Sequence, residues 1–239
     1  MRKNILVLLC VAFIIQFTGL LPLQAGHYYY KQISLKDGLP STVRCILTDE
    51  QGFVWIGTRS GLGRYDGHEL KKYVHQADDP HSIPHNFIYQ MIEDEQNNIW
   101  ILTDKGVARY RRQSDDFFIP TNESGNNIIV YSVCLTKGGV LFGSKNKIFF
   151  YNYQDATFRL LQTFDLEPNY NVTLLSLWDK RTLLCCSRWQ GLLLLDLNTG
   201  KCRRPPFDCG KEIMNVLIDS QERIWVAPYN GGLNCLTRD

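Results

Sequence analysis

The chain has 239 residues, 44% of them hydrophobic and 21% charged, and its 26 Lys and Arg nearly balance 24 Asp and Glu for a formal charge of +2. That composition excludes intrinsic disorder and suits one globular unit with a sizeable core. The basic residues are scattered along the chain, so no nucleic-acid partner is expected.

The N-terminus reads as a targeting segment. Arg2 and Lys3 precede an apolar run from Ile5 to Leu21, and Leu23-Gln24-Ala25 offers a small residue for cleavage. This predicts a secretory signal over residues 1–25 and an exported, periplasmic remainder over 26–239. A retained anchor is the alternative, because the run is at the lower limit for spanning a bilayer; both place the remainder outside the cytoplasm. Seven cysteines follow (Cys45, Cys134, Cys185, Cys186, Cys202, Cys209 and Cys235), an odd set whose spacings match no zinc module. Cys45, Cys134, Cys185 and Cys235 fall in apolar runs and are expected to act as small hydrophobes. Cys202 and Cys209, in a Pro-containing loop, are placed for a local disulfide.

Self-similarity then organises the rest. Asp49-Glu50-Gln51-Gly52-Phe53-Val54-Trp55-Ile56-Gly57-Thr58 with Gly61-Leu62-Gly63-Arg64-Tyr65 is repeated by Asp94-Glu95-Gln96-Asn97-Asn98-Ile99-Trp100-Ile101 with Gly106-Val107-Ala108-Arg109-Tyr110. A third copy runs from Asp219 through Trp225 to Gly231, and weaker copies centre on Leu141 and Cys185, the latter with Asp179 six positions before it. A repeat of 40 to 45 residues means an array in which each unit buries its faces on its neighbours.

Within each unit the apolar runs last four to six residues and break at Gly, Asn and Asp, with no sustained 3.6-residue period. The units are therefore predicted as strands: in the first copy, A over Thr42 to Thr48, B over Phe53 to Thr58, C over Leu62 to Tyr65 and D over Leu70 to Val74. Four antiparallel strands in this length make a β-propeller blade. The expected fold is all-β, about five four-stranded blades forming a partial or five-bladed ring, centred on Trp55, Trp100, Leu141, Cys185 and Trp225. The tryptophans are expected as packing between blades, and Asp49, Asp94, Asp179 and Asp219 as side chains that hold their own backbone turn. Tyr28 to Ile33 resembles a strand D without its blade and Cys235 to Thr237 a strand C without its D, so the former could complete the last blade.

The segments Gly38-Leu39-Pro40-Ser41, Trp55-Ile56-Gly57-Thr58 and Gly61-Leu62-Gly63-Arg64-Tyr65-Asp66-Gly67 resemble the two-component regulator propeller repeat. The resemblance implies the N-terminal periplasmic sensor region of a hybrid two-component histidine kinase, whose propellers commonly detect oligosaccharides. It further implies blades and signalling domains of a longer chain, anchored in the inner membrane, and a possible homodimer. No kinase motif stands in these residues, which read as an N-terminal piece without enzymatic activity of its own.

In a propeller the B to C turns share one face with the D to A connections, and these turns vary between copies while their flanking strands do not. Candidate ligand-binding residues are Arg59, Asp104, Lys105, Lys145, Asn146, Arg188, Trp189, Gln190, Tyr229 and Asn230. Bidentate polar groups with aromatic platforms, here Trp189 and Tyr229, suit an oligosaccharide, and the cations could favour an acidic one. The plainer reading is that turns are polar because they are wet. No cofactor is expected, and His75, His81 and His85 with Asp78 and Asp79 match no metal-ligand spacing. A propeller glycoside hydrolase or lyase and a protein-interaction propeller are the competing classes, the former disfavoured because the carboxylates are spent in turns.

Overall fold

A computed structural model describes residues 30, 32–34, 36, 38–39, 41–121, 125–164, 171–187, 189–205 and 209–237. The predicted leader and most of residues 28–33 lie outside them, and Tyr30, Gln32 and Ile33 carry no strand. Within the unit Ser34–Asp239 the chain forms five consecutive antiparallel sheets. Blade 1 comprises β1 (Val43–Thr48), β2 (Val54–Thr58), β3 (Leu62–Tyr65) and β4 (Leu70–Tyr73), each within one residue of its predicted bounds. Blade 2 comprises β5 (Ile88–Glu93), β6 (Ile99–Thr103), β7 (Gly106–Arg111) and β8 (Asp116–Phe118). Blade 3 has β9 (Ser132–Thr136), β10 (Gly139–Gly143), β11 (Lys147–Asn152) and β12 (Phe158–Thr163). Blade 4 has β13 (Leu174–Leu177), β14 (Thr182–Ser187), β15 (Gly191–Asp196) and β16 (Cys202–Arg203). Among the described residues blade 5 has three strands, β17 (Ile213–Ile218), β18 (Ile224–Pro228) and β19 (Asn234–Leu236).

The recurring aspartate does more than hold its turn. Asp49 Oδ1 accepts the Gln51 and Phe53 amides at 3.1 and 2.9 Å, while Oδ2 accepts the Trp55 indole Nε1–H at 2.9 Å. Asp94 with Trp100 (2.8 Å) and Asp219 with Trp225 (2.8 Å) repeat the arrangement. The indole can thus be buried without an orphaned donor, which would cost about 1–3 kcal/mol. Trp55 and Trp100 are fully buried.

Trp55 and Trp100 each face the following blade. Trp55 packs edge-on against Tyr110 of blade 2 at 4.7 Å, and Trp100 against Tyr151 of blade 3 at 4.8 Å; such pairs add about 0.5–1.5 kcal/mol beyond area burial. Arg64, opposite Trp55 in the ladder, reaches the Tyr110 hydroxyl, and Arg109, opposite Trp100, donates to the Tyr151 hydroxyl at 2.5 Å. Gly57 and Gly143, at matching positions, let the next inner strand approach: a Cβ at Gly57 would stand 2.8 Å from Ile88 Cγ2, and one at Gly143 2.7 Å from Val172 Cγ1.

Blade 4 departs from the expected register. Its Asp179 turn is one residue shorter, since Asp179 Oδ1 accepts the amide of Thr182, three positions on, where Asp49 accepts that of Phe53, four on. Cys185 consequently turns back into the core shared with Leu141 of blade 3, and Leu184 faces blade 5 in the place of the tryptophan. The expected disulfide does not form. Cys202 is exposed whereas Cys209 is buried in the blade 4 to blade 5 core, and both remain thiols.

Two ionic clamps join blades 1 and 2. Arg112 binds Asp49 Oδ2 and Glu93 Oε1, each at 3.0 Å, and Gln51 Oε1 at 2.9 Å. Asp115 accepts from Lys71, from the Tyr73 hydroxyl at 2.6 Å and from the Tyr110 hydroxyl at 2.5 Å, with Arg64 at 3.2 Å. Burial alone would raise the Asp115 pKa; the bonds from Lys71, Tyr110 and Tyr73 and the Arg64 charge prevail and hold it at about 2. A carboxylate depressed in the folded state stabilises fully above its ordinary value, and that contribution is lost as pH falls through the folded one. Thermal unfolding of the parent chain should therefore lose stability between about pH 4 and pH 2 more steeply than Asp115→Asn, which starts lower at neutral pH; parallel curves would show that Asp115 is not coupled to folding.

Candidate functional site

The B to C turns are built alike at their base and differ at their tips. In blade 1 the Thr58 hydroxyl donates to the Gly61 carbonyl at 2.8 Å, and in blade 2 the Thr103 hydroxyl donates to that of Gly106 at 2.7 Å. Both hydroxyls are buried supports, which leaves Arg59, Asp104 and Lys105 at the exposed tips. Backbone bonds tie the turns to the D to A connections: Asp104 N–H to the Phe87 carbonyl at 3.3 Å, Val172 N–H to Ser144 at 3.1 Å, and Tyr229 N–H to Glu212 at 2.7 Å. The two loop sets therefore share one face.

The structure gathers some candidates and separates others. Asp104 accepts the Tyr89 hydroxyl and lies 4.0 Å from His85 Nδ1. Lys145 bridges to Asn171, and Asn146, in the left-handed region at φ 50°, keeps its side-chain oxygen buried and without a hydrogen-bond partner. Ser144, Lys145, Asn146 and Asn127 line a cavity of ≈ 550 Å³ together with Phe149 and Phe164. On blade 4, Trp189 is 61% exposed, and Gln190 takes an Arg204 bond at its backbone carbonyl while its side-chain oxygen is buried and unpaired. Arg188 lies outside the described residues. Tyr229 and Asn230 are exposed on blade 5. The histidines go to three different partners: His75 to the Ile83 carbonyl, His81 to Arg111 and His85 toward Asp104.

Four residues of this face were not nominated from the turns: Arg44, His85, Phe87 and Tyr89. The register of β1 on β2 shifts between Val43 and Cys45, and that of β5 on β6 between Ile88 and Gln90, so Arg44 and Tyr89 are the extra residues of β-bulges. Phe87 and Tyr89 meet at 5.0 Å and 61°, and the guanidiniums of Arg44 and Arg59 each stand 5.7 Å from the Phe87 ring centre. Burial, the Asp104 hydrogen bond and the neighbouring Asp104 and Tyr131 together raise the Tyr89 phenol pKa.

Comparison with known proteins bears on two of these repeats. The profile of the two component regulator propeller matches residues 37–60 and 82–105. These two segments are similar to two-component regulator propeller repeats. Within these repeats fall the first two B to C turns with Arg59, Asp104 and Lys105. Histidine kinase P4 of Formosa agariphila is 39% identical over 61 residues, covering 25% of this chain and 4% of that protein. Among solved structures, the extracellular domain of the hybrid two-component system BT3049 from B. thetaiotaomicron superposes with a TM-score of 0.72 at 21% identity, over 87% of this chain and 30% of the other. That of BT4673 from the same organism gives 0.69 at 22% identity, over 89% and 29%. The repeats thus span under a third of each of these chains, and the structural likeness, which extends to virginiamycin B lyase of Staphylococcus aureus at 0.57 and 11% identity, shows the propeller fold.

The Asp104 to Tyr89 bond makes a local prediction. With Asp104→Asn, the Tyr89 phenol should titrate at lower pH than in the parent, followed by NMR of ring-labelled tyrosine. An unchanged Tyr89 curve would mean the carboxylate does not hold the hydroxyl.

Proposed function

We propose that the chain is an extracytoplasmic ligand-recognition propeller of a hybrid two-component signalling system, and that it detects oligosaccharides. One observation carries this reading: the ≈ 550 Å³ cavity beside the blade 3 turn, lined by Asn146, whose side-chain oxygen is buried and unpaired. Buried polar groups are normally satisfied, and a sugar hydroxyl is a donor of suitable reach. The half-buried phenyl ring of Phe149 in the same wall suits the apolar face of a pyranose.

The repeats and the named relatives support the sensor class over an enzyme, and the carboxylates at the repeated Asp positions are engaged in turns and tryptophan bonds. Further blades, signalling domains, membrane anchorage and a homodimer belong to the proposal for the complete protein. Ligand binding would then bias that assembly by its differential affinity for two states.

A panel of neutral and acidic oligosaccharides, read by thermal shift and calorimetry, tests it. At least one should raise the unfolding temperature, and Asn146→Ala should remove that shift while leaving the unliganded unfolding temperature within a few degrees. Stabilisation by no glycan, with capture of a protein partner, would favour the interaction reading; release of reducing sugar would favour the enzymatic one.

A further inference from the structure

The remaining chemistry of this face sits at the entry of the inner strands of blades 1 and 2. Arg44 and Arg59, from two different elements of blade 1, converge on one ring of blade 2, Phe87. Among the described residues neither has a carboxylate within 4.0 Å, whereas Arg64, Arg111, Arg112 and Arg223 are all paired. Arg109 also stacks on rings without a carboxylate but is half-buried and donates to the Tyr151 hydroxyl, whereas Arg44 and Arg59 are both exposed.

Local structure brings them there. The bulge in β1 makes Arg44 an extra residue outside the regular ladder, and bulges re-aim side chains at the rims of sheets. The equivalent bulge in β5 supplies Tyr89, while β9 and β13 pair regularly and supply no counterpart. A guanidinium resting on a ring engages through its flat face, at about 0.5–1 kcal/mol in an exposed setting. Its in-plane N–H fork remains available for a planar or tetrahedral oxyanion. Asp104, a carboxylate on this face, is turned to Tyr89 and His85.

We propose that Arg44 and Arg59 hold the anionic group of an acidic saccharide, a uronate carboxylate or a sugar sulfate, against Phe87 and Tyr89. The assignment rests on the oligosaccharide reading and adds the charge of the ligand to it. Phe87 and Tyr89 offer the sugar an apolar wall, and Asp104 accepts a ring hydroxyl. Two arginines of one blade reading a group seated on the next also make the site depend on how blades 1 and 2 are docked.

The test is an NMR titration of arginine Nε–H resonances in the chain with glucuronate, glucose 6-sulfate and glucose. Glucuronate or the sulfate ester should shift Arg44 and Arg59 saturably, with glucose inert and added salt weakening the response. Arg44→Gln or Arg59→Gln should lower the affinity roughly tenfold or more, the loss of one charge-assisted bond. A response to only one of the two anions assigns the group as carboxylate or as sulfate. An equal response to glucose would overturn the charge assignment while leaving the sugar reading intact. No saturable shift with either anion would overturn it whatever the wider glycan panel shows.

Discussion

A single hydrogen bond, from a buried indole N–H to a turn carboxylate, underlies the way these blades stack. Tryptophan brings the largest apolar surface available to a side chain, together with one donor that cannot be left unpaired in a dry interface. Placing an aspartate six residues earlier solves both demands at once. One oxygen closes the A to B turn and the other receives the indole, so strand geometry and inter-blade packing are fixed by the same side chain. Where the pair is missing, the interface changes character. Blade 3 offers Leu141 and blade 4 offers Leu184, and their junctions are built mainly from aliphatic side chains, phenylalanine and cysteine, with Trp178 of blade 4 donating its indole N–H to the Glu222 carbonyl of blade 5 at 2.9 Å.

The same device explains the asymmetry of the two ends. Trp225 keeps its Asp219 bond, yet it is only partly covered, and Leu217 and Leu233 on the same face are 63% and 62% exposed. On blade 1 the opposite face leaves Ile46 65% exposed. Internal junctions show what such faces meet elsewhere: Trp55 is covered by Ile88, Met91 and Tyr110 of the next blade. The arginine that would bridge outward from blade 5 is replaced by Cys235, so the polar part of the junction is absent there as well.

Much of this was legible because the code is local. The strand bounds of blade 1, the repeated aspartate turns and the outward B to C turns follow from Gly, Asp and apolar spacing, which short-range sterics enforce. What was not legible depended on small changes of count. One residue removed from the Asp179 turn moves the forward-facing position from Cys185 to Leu184, because side chains alternate faces with every residue. One residue added in β1 and in β5 makes bulges of Arg44 and Tyr89, and no spacing rule marks a bulge in advance. Cys202 and Cys209 are close in sequence, yet Cys209 is buried against blade 5 while Cys202 is exposed, which separates their roles. The turns mark the candidate face, and Phe87 and Tyr89 reach it from the D to A side.

Hydrogen exchange of the indole Nε1–H protons, resolved by NMR, tests the buried aspartate–tryptophan bond most directly. Trp55 and Trp100 should exchange orders of magnitude more slowly than the exposed Trp189, with Trp225 between them. Exchange of Trp55 and Trp100 as fast as Trp189 would mean that those indoles are neither bonded nor sealed between blades, contradicting the stacking described here.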